Sequence, residues 1–459
     1  MNAKSASDFI VGEWMWGSTI AEAGPDGAEI ILSRCAEMGI TDVYLLVKGT
    51  GGKLGYLQTK HRELVLRPDR DVLGEAVSAA HANGIRLHAW ICNMEDAAYK
   101  TGHPEAGMRH YVRGRDNDHI DLHDTGYRAH MADIVGELAA YGIDGLHFDY
   151  IRCNHLTNGW SREDWDAVTL MGADPGRIRE LMETTFGYNG RTEDSSCIFS
   201  AYRNGDRDAR LIAEYRRKMV REYASSVIAA ARAVRPDLVI SAAVMPEGAY
   251  DEAFAALHYG QDYRDAAALY DYICPMAYST GYGKDENWVR TIAQNSICMG
   301  NRVVMGLQAF GGIPSARLMA ETETLRTFSR EDSRTDGLGG FVFFRSSQLD
   351  YAKITVDAPG SITVKTVSGT GQAYRWVRIE MPAGGRITDA AVGEGYRQDT
   401  SVRIAPDGTS VTFSAEDSIT AGTKEYLHLR CEGDLGSAGL TVHAGGVREI
   451  TVYTVMERR

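Results

Sequence analysis

Two acidic residues, each closing a short apolar segment, are the strongest candidates for chemistry in this sequence. Asp149 ends the segment that contains His147, and Glu247 ends the segment that contains Ser241. In a strand, alternate side chains share a face, so Asp149 shares one with His147 and Glu247 shares one with Ser241. Glycosidic cleavage uses two such carboxyl groups, about 5–5.5 Å apart for retention and about 6.5–9.5 Å apart for inversion. Neighbouring strands lie about 4.8 Å apart, which favours retention.

Each acidic residue also has a purely structural interpretation. Asp149 would pair with the nearby Arg152, because burying an ionised carboxylate costs free energy unless a cation pairs with it or the group has a functional role. Glu247 would instead cap the helix that begins near Ala249. Ionisable groups in a cleft at strand ends are more often functional, so we expect Asp149 and Glu247 to be catalytic.

Polar and aromatic residues follow the other apolar segments, in the combination that sugar sites use. The predicted substrate-binding residues are Glu13, Trp16, Lys48, Trp90, Asn93, His147, Arg152, Tyr278, Gln308 and Arg345. We expect His147 and Tyr278 to hold sugar hydroxyls. The cationic members, together with Arg203, are compatible with an acidic substrate.

Three histidines among aspartates raise the question of a metal ion. They are His119, His123 and His130, with Asp118, Asp121 and Asp124 beside them. The spacing matches no standard site, and Asp124 or Thr125 suits the N-cap of a following helix. We therefore predict no metal and no cofactor. The sequence also has neither a G-x-S-x-G elbow nor a G-x-x-x-x-G-K-[ST] loop.

Eight apolar segments alternate with amphipathic stretches, which is typical of βαβ units around a parallel sheet. The predicted strands are Phe9–Trp16, Asp42–Lys48, Arg86–Asn93, Gly145–Arg152, Leu238–Glu247, Tyr272–Ser279, Arg302–Phe310 and Gly340–Ser346. The count predicts a closed (β/α)8 TIM barrel, whose active sites form at the carboxyl ends of the strands. The alternative is a doubly wound open sheet, but no glycine-rich phosphate loop follows the first strand.

The remaining chain divides into a long insertion and a second domain. About 55 residues separate Arg152 from the helix at Asp208, which predicts a functional loop at about 153–207. From Tyr351 the sequence alternates and is rich in Thr, Val and Gly. We therefore predict an α/β barrel over 1–350, followed by a small C-terminal antiparallel β-sandwich over 351–459 that buttresses it.

Composition limits the partners. The formal net charge of −13 argues against nucleic acid or an anionic membrane, which both need a basic patch. No apolar run reaches the ~18 residues of a membrane span. Seven scattered cysteines and the lack of a signal peptide fit a cytoplasmic protein, with export and removal of a signal as the alternative. A homo-oligomer stays open.

The segment 142–152, which reads GIDGLHFDYIR, resembles the fourth-strand signature of glycosyl-hydrolase-like (β/α)8 families, namely the family-10-like group, distantly similar to the α-amylase clan. The pairs Glu13-Trp14 and Ala277-Tyr278 and the strand at 339–344 are similar too. In that clan the fourth-strand Asp is the nucleophile and the fifth-strand Glu is the acid/base, and Asp149 and Glu247 match those places. His147 stands where the clan has arginine.

The resemblance implies a glycoside hydrolase that acts on an oligosaccharide or glycoconjugate, with retention through an Asp nucleophile and a Glu acid/base. The chitinase motif D-x-x-D-x-D-x-E is absent, which argues against substrate-assisted chemistry. Two alternatives stay open. One is a metal-dependent barrel lyase or epimerase, and the other is a barrel that binds glycan without cleaving it.

Overall fold

The computed structural model describes most of the chain. The described residues are 9–112, 114–186, 196–310, 313, 315–331, 337–345, 351–367, 374–393, 400–419, 426–433, 440–445 and 449–458. Strands are numbered β1–β19 and helices α1–α13 along the chain. The model has a closed parallel barrel and a C-terminal β-sheet region.

Eight parallel strands form the barrel, and they confirm the predicted fold class. They are β1 (Ile10–Trp16), β2 (Asp42–Lys48), β3 (Arg86–Cys92), β6 (Gly145–Asp149), β7 (Val239–Val244), β8 (Tyr272–Pro275), β9 (Val303–Gln308) and β10 (Leu338–Phe344). Each strand pairs with the next one along this series, and β10 returns to pair with β1. The closure brings the carboxyl ends of all eight strands to one mouth.

Helices surround the barrel and alternate with its strands. They are α1 (Gly17–Glu22), α2 (Gly27–Glu37), α3 (Val72–Ala82), α4 (Ala97–Gly102), α5 (Thr125–Ala140), α9 (Arg207–Val234), α10 (Glu252–Phe254), α11 (Tyr263–Leu269), α12 (Trp288–Cys298) and α13 (Ser315–Glu331). The predicted cap at Asp124 is present, because its carboxylate accepts from the backbone N–H of Tyr127 at 2.7 Å. Short helical turns lie at Arg62–Leu64, Pro104–Ala106, Pro246–Ala249 and Ala255–Tyr259.

Two insertions enlarge the mouth. Between β3 and α5 lies a hairpin of β4 (Gly107–His110) and β5 (Gly114–Ile120). The predicted loop at 153–207 instead contains three helices, α6 (Arg162–Leu170), α7 (Pro175–Phe186) and α8 (Ser196–Arg203). The buried Arg216 of α9 holds the start of this insertion by donating to the carbonyls of Asn158 (2.7 Å) and His155 (2.9 Å).

The barrel interior is packed, so any ligand must bind above it. The hydroxyls of Tyr44 and Tyr272 meet at 2.8 Å low in the barrel. Trp14 fills the middle, and a Cβ at Gly306 would lie 2.9 Å from its ring, so only glycine leaves it room. Inward and outward side chains alternate as predicted: Phe148, next to Asp149, packs outward in the core between barrel and helices.

The C-terminal region is one nine-stranded sheet in the order β14-β17-β12-β11-β19-β18-β13-β16-β15. Its strands are β11 (Tyr351–Ala358), β12 (Ser361–Val367), β13 (Tyr374–Glu380), β14 (Arg386–Val392), β15 (Ser401–Ile404), β16 (Ser410–Ile419), β17 (Tyr426–Glu432), β18 (Thr441–Gly445) and β19 (Glu449–Arg458). It encloses its own apolar core. As predicted, the strand pairs of this region are antiparallel, with one exception: the second half of β19 runs parallel to β11.

An ion pair between Lys365 of β12 and Glu37 of α2 joins the C-terminal sheet to the barrel. The buttressing role of the C-terminal region stays a prediction. Among the described residues, no helix has both the length and the apolar character of a membrane-spanning segment.

Candidate active site

Asp149 lies at the carboxyl end of β6 with only 6% of its surface exposed. Its Oδ1 accepts hydrogen bonds from the backbone N–H of Tyr150 (2.6 Å) and from Nη1 of Arg152 (3.1 Å). Its Oδ2 has no hydrogen-bond partner among the described residues. The ion pair that sequence analysis offered as the structural alternative is therefore present, and it leaves one carboxylate oxygen available.

The turn after Asp149 explains how Arg152 reaches back. Tyr150 adopts φ of +51°, the left-handed conformation that is uncommon for residues other than glycine. The guanidinium of Arg152 then lies 4.6 Å from the centroid of the Tyr150 ring as well as on Asp149. On the opposite side, the backbone N–H and the side-chain amide of Asn93 donate to the Asp149 carbonyl at 2.8 and 3.1 Å. The position of Asp149 is thus fixed from two directions.

Glu247 lies just beyond β7, in the helical turn Pro246–Ala249, and 7% of its surface is exposed. The predicted strand through Glu247 ends earlier, at Val244. The hydroxyl of Tyr282 donates to Oε1 of Glu247 at 3.0 Å, and Oε2 is buried with no hydrogen-bond partner in the described part of the chain. Burial raises the pKa of Glu247, and the Tyr282 hydroxyl and the positive charge of Arg152 offset only part of that increase.

The two carboxyl groups therefore differ in environment, although their strands are neighbours. Asp149 has a guanidinium on it, whereas Glu247 has a hydroxyl and an apolar surround. Burial that raises the pKa of one carboxyl, beside another that is ion-paired, is the arrangement that separates an acid from a base or nucleophile. Arg152 acts on both, since its charge also lowers the pKa of Glu247.

An aromatic floor lies under the mouth, formed by the rings of Trp14, Trp90, Tyr278, Phe310 and Phe344. The Tyr278 ring is stacked with Phe344 at 6.1 Å and meets Phe310 edge-on at 5.5 Å. Burial, and then the negative charge of Asp149, raise the pKa of Tyr278. Nε1 of Trp90 is buried without a partner, so the floor also offers a hydrogen-bond donor.

His147 faces the barrel interior as predicted but lies below the floor. Its Nε2 accepts from the indole N–H of Trp14 at 2.9 Å, and its Nδ1 bonds to the Ser241 hydroxyl at 2.8 Å. Burial, and then the neighbouring His88, hold the pKa of His147 well below its usual value. With both ring nitrogens occupied, His147 cannot hold a sugar hydroxyl, which corrects that expectation.

Four further predicted ligands have structural contacts instead. Glu13 points outward and accepts a hydrogen bond from Sγ of Cys35 in α2 at 3.2 Å, and burial raises the pKa of Glu13 to about 7. Asn93 donates its backbone N–H and its side-chain amide to the backbone carbonyl of Asp149. Oε1 of Gln308 accepts from the N–H of Gly281 at 3.0 Å and so holds the turn that carries Tyr282.

Lys48 is the fourth of these. Its ammonium group pairs with Asp96 at 2.8 Å, and both side chains are completely buried. It also donates to the carbonyl of Cys92 at 3.0 Å. The structure therefore does not bring Glu13 or Lys48 to the mouth, and it gives Asn93 and Gln308 positioning contacts.

Trp16 and Arg345 come together at the ends of β1 and β10. The guanidinium carbon of Arg345 lies 4.1 Å from the centroid of the Trp16 ring, and 42% of Trp16 is exposed. Of the predicted ligands, Arg152, Trp90 and Tyr278 surround Asp149 or form the floor, and Trp16 and Arg345 form a second group.

Sequence reasoning missed two polar residues at this mouth, Glu95 and Tyr282. Glu95 lies three residues beyond β3, and its Oε2 is 3.6 Å from Nδ1 of His119. Burial raises the pKa of Glu95, and the negative charges of Asp118 and Asp149 raise it further. Its position just after a strand end was the available signal, whereas Tyr282 lies seven residues beyond β8 and gave none.

The histidine and aspartate cluster divides among several places. His119 lies by Glu95, and His130 lies 4.0 Å from Asp96. Among the described residues, only Asp121, His123 and Asp164 bring three donor atoms within 4.8 Å of one another. Asp164 already accepts from the Ser161 backbone N–H and hydroxyl, both at 2.7 Å, and from the Tyr215 hydroxyl. These contacts satisfy Asp164 without a metal ion.

Comparison with solved structures identifies the fold. A β-galactosidase from Marinomonas ef1 superposes with a TM-score of 0.50 at 12% identity, over 73% of this chain and 54% of that one. An α-L-fucosidase isoenzyme 2 from Paenibacillus thiaminolyticus gives 0.49 at 14% identity, over 73% and 46%. The chain thus spans about half the length of these proteins. No curated protein matches it.

A family model covers most of the barrel. The model DUF4015, described as "Putative glycosyl hydrolase domain", matches residues 18–299, which include β2 to β8 and both Asp149 and Glu247. The match spans more than half of the chain, and it agrees with the closed barrel and with the resemblance in the β6 segment. The chain therefore belongs to this glycosyl hydrolase domain family.

Proposed function

We propose that this protein hydrolyses O-glycosidic bonds, with Asp149 and Glu247 as its catalytic pair. The observation that carries the proposal is the contrast between two carboxyl groups, one at the end of β6 and the other in the turn that follows the neighbouring strand β7. Asp149 bears an ion pair with Arg152 and has one unpartnered oxygen, and Glu247 is buried, with its pKa raised and Oε2 unpartnered. A charged carboxylate beside a protonated acid is what glycoside cleavage requires.

In the proposed reaction, Oδ2 of Asp149 attacks the anomeric carbon while the bond to the leaving oxygen breaks. Glu247 donates its proton to that oxygen, and a glycosyl ester forms on Asp149. Glu247 then takes a proton from water while the water oxygen attacks the anomeric carbon. The ester bond to Asp149 breaks, and both carboxyl groups return to their initial states. The net outcome is hydrolysis with retention.

Neighbouring side chains divide the remaining work. Arg152 holds Asp149 in one orientation and stabilises its charge. Tyr282 keeps Oε1 of Glu247 occupied, so that the proton that Glu247 donates is carried on Oε2. The floor of Trp90, Tyr278 and Phe344 provides apolar faces for the sugar ring, as carbohydrate sites do.

The experiment that tests this proposal combines a glycan panel with two isosteric variants. The full chain is screened for release of reducing ends, and Asp149→Asn and Glu247→Gln are then assayed on each glycan that the parent cleaves. We expect each variant to lose orders of magnitude in turnover while its thermal unfolding stays close to that of the parent. The exposed α6 variants Asp166→Asn and Glu163→Gln are matched controls and should retain activity.

Two outcomes would contradict the proposal. One is near-full activity of both catalytic-pair variants on a glycan that the parent cleaves. The other is tight glycan binding by the parent with no release of reducing ends, which would support a binding barrel. A turnover that disappears with EDTA and returns with a divalent ion would support metal-dependent chemistry instead.

A further inference from the structure

A second concave region opens at the mouth, away from the carboxyl groups. It is a cavity of about 520 Å³ that lies over the ends of β1 and β2 and reaches α1 and the start of α3. Its lining includes Trp16, Leu46, Gly49, Gly51 and Lys53. The volume falls within the range of about 300–1,000 Å³ that small-molecule sites occupy, so a sugar residue fits in it.

One wall of the cavity is the ring of Trp16, and the guanidinium of Arg345, which is not itself a lining residue, lies against that ring. Trp16 is 42% exposed, and the Arg345 guanidinium lies 4.1 Å from its ring centroid. Among the described residues, Arg345 has no carboxylate partner. A flat apolar face beside an uncompensated guanidinium suits a sugar ring that carries a negative charge, since guanidinium pairs well with carboxylate, sulfate and phosphate.

Another part of the lining is the glycine-rich loop after β2, which reads GTGGKLG over 49–55. Within the described part of the chain, the backbone N–H groups of Gly49 and Gly51 donate to no acceptor. The Lys53 side chain is exposed, and its Nζ donates only to the carbonyl of Glu63 at 3.3 Å. Free amide donors next to an ammonium group form a further anion-binding element.

This loop is held in place before any ligand binds. Leu54 forms bridges with Lys48 and with Val65, and the N–H of Gly55 donates to the carbonyl of Val47. Gly52 has φ of +76°, and a Cβ there would lie 2.0 Å from the carboxylate of Asp96, which Lys48 fixes from the other side. The buried pair of Lys48 and Asp96 therefore positions the loop, which limits the ordering that binding would require.

The cavity is lined by two cations, Lys53 and Arg67, and by one acid, Glu22, and Arg345 adjoins it through the ring of Trp16. Arg67 is paired with Asp69 at 2.9 Å. Lys53 and Arg345 thus provide the positive charge that no carboxylate of the described chain compensates. A local cationic region on an acidic protein indicates a ligand of opposite sign.

We propose that this cavity is a subsite for an acidic sugar residue of the substrate, one that bears a carboxylate, sulfate or phosphate group. Trp16 packs against the ring of that sugar, Arg345 and Lys53 bind its anionic group, and the loop amides complete the contacts. β1, which ends at Trp16, pairs with β10, which ends at Phe344 of the aromatic floor, so the subsite and the floor lie at neighbouring strand ends of one mouth. This inference rests on the proposed glycoside hydrolase function.

The test measures binding separately from cleavage. Uronic-acid and sulfated oligosaccharides are titrated into Glu247→Gln by calorimetry, each beside its carboxyl-reduced or desulfated counterpart. We expect at least one acidic chain to bind about tenfold or more tightly than its neutral counterpart, with an affinity that falls as salt rises. The uronic-acid and sulfated arms identify which anionic group is recognised.

Charge variants then locate the site. In the Glu247→Gln background, Lys53→Gln and Arg345→Gln should each weaken the acidic ligand by about five- to tenfold and leave the neutral counterpart unchanged. The matched controls Lys218→Gln and Arg162→Gln remove exposed charges from α9 and α6 and should have no effect.

Several results would overturn the subsite. They are equal binding of acidic and neutral chains, binding of neutral chains alone, no binding of any acidic chain, or equal losses in the control variants. Failure of the proposed function is distinguishable from these, because it is read from turnover of Asp149→Asn and Glu247→Gln. Preferential cleavage of neutral glycans by the parent would support the proposed glycoside hydrolase function and contradict the proposed acidic subsite.

Discussion

Two sectors of the same barrel mouth handle charge in opposite ways. The carboxylate sector comprises Glu95, Asp149 and Glu247, at or just beyond the ends of β3, β6 and β7. Asp149 and Glu247 are buried and Glu95 is half-buried, and each has a partner or a raised pKa. The cationic sector comprises Trp16, Lys53 and Arg345, after β1, β2 and β10, and no carboxylate of the described chain compensates its cations. In the proposed function the first sector transfers protons and forms bonds, and in the proposed subsite the second sector binds a charged group.

The difference shows that strand-end position alone does not define a functional group. Lys48 and Arg345 both end barrel strands, yet Lys48 is fully buried on Asp96 and supports a loop. Arg345 lies on the exposed face of Trp16 and remains available. Partners and burial, rather than residue type, separate a positioning residue from one that can contact substrate.

Removal of Arg152 should have the largest effect on the carboxylate sector. Arg152→Met leaves Asp149 buried without its counter-charge, which costs about 3 kcal/mol or more of unfolding free energy. We expect turnover to fall by about a hundredfold or more as Asp149 loses its orientation. Chemical denaturation and turnover measure the two effects, and Arg152→Lys should recover part of the stability. Unchanged stability and activity in Arg152→Met would show that this ion pair contributes to neither the stability of the protein nor its catalysis.

Tyr282→Phe should change pH dependence more than maximal rate. The Tyr282 hydroxyl stabilises the ionised form of Glu247, so its loss raises the pKa of Glu247 further. Because the proposed acid must be protonated, the alkaline limb of kcat/KM should move to higher pH. A pH–rate profile of parent and variant measures the shift. Movement to lower pH, or no movement, would show that Glu247 is not the acid.

The variant Glu13→Gln tests whether Glu13 acts at the outer face of the barrel, where the structure places it, or in substrate binding. Burial raises the pKa of Glu13 to about 7, so ionisation destabilises the folded protein as pH rises from about 4.5 through 7. The variant should be more stable than the parent by roughly 2–3 kcal/mol at pH 8 and by less than half of that at pH 5. Unfolding at the two pH values measures this. Turnover should not change. A large loss of turnover would show that Glu13 does contact substrate, against the structural assignment.

The barrel was predictable because its signal is local. Apolar segments of the right length and spacing identified all eight strands, and alternation identified the inward faces of β6 and β7. The end of β7 was misplaced by three residues, since Pro246 begins a helical turn that the apolar pattern did not reveal.

Contacts between distant positions were not predictable in the same way. His147 is occupied by Trp14 and Ser241, which lie 133 and 94 positions away in the sequence, and Glu13 by Cys35 on a helix. The parallel pairing of β11 with β19 likewise joins the two ends of the C-terminal region. No single-sequence pattern specifies such partners, because they depend on how complete elements pack.

Chemical rescue with azide tests the central claim of two carboxyl groups with different roles most directly. Asp149→Ala and Glu247→Ala are assayed on an aryl glycoside of the preferred sugar, and the configuration of the glycosyl azide is read by NMR. If Asp149 is the nucleophile and Glu247 the acid/base, azide restores both variants, giving inverted configuration with Asp149→Ala and retained configuration with Glu247→Ala. The same configuration from both variants, or no rescue of either, would contradict the assignment.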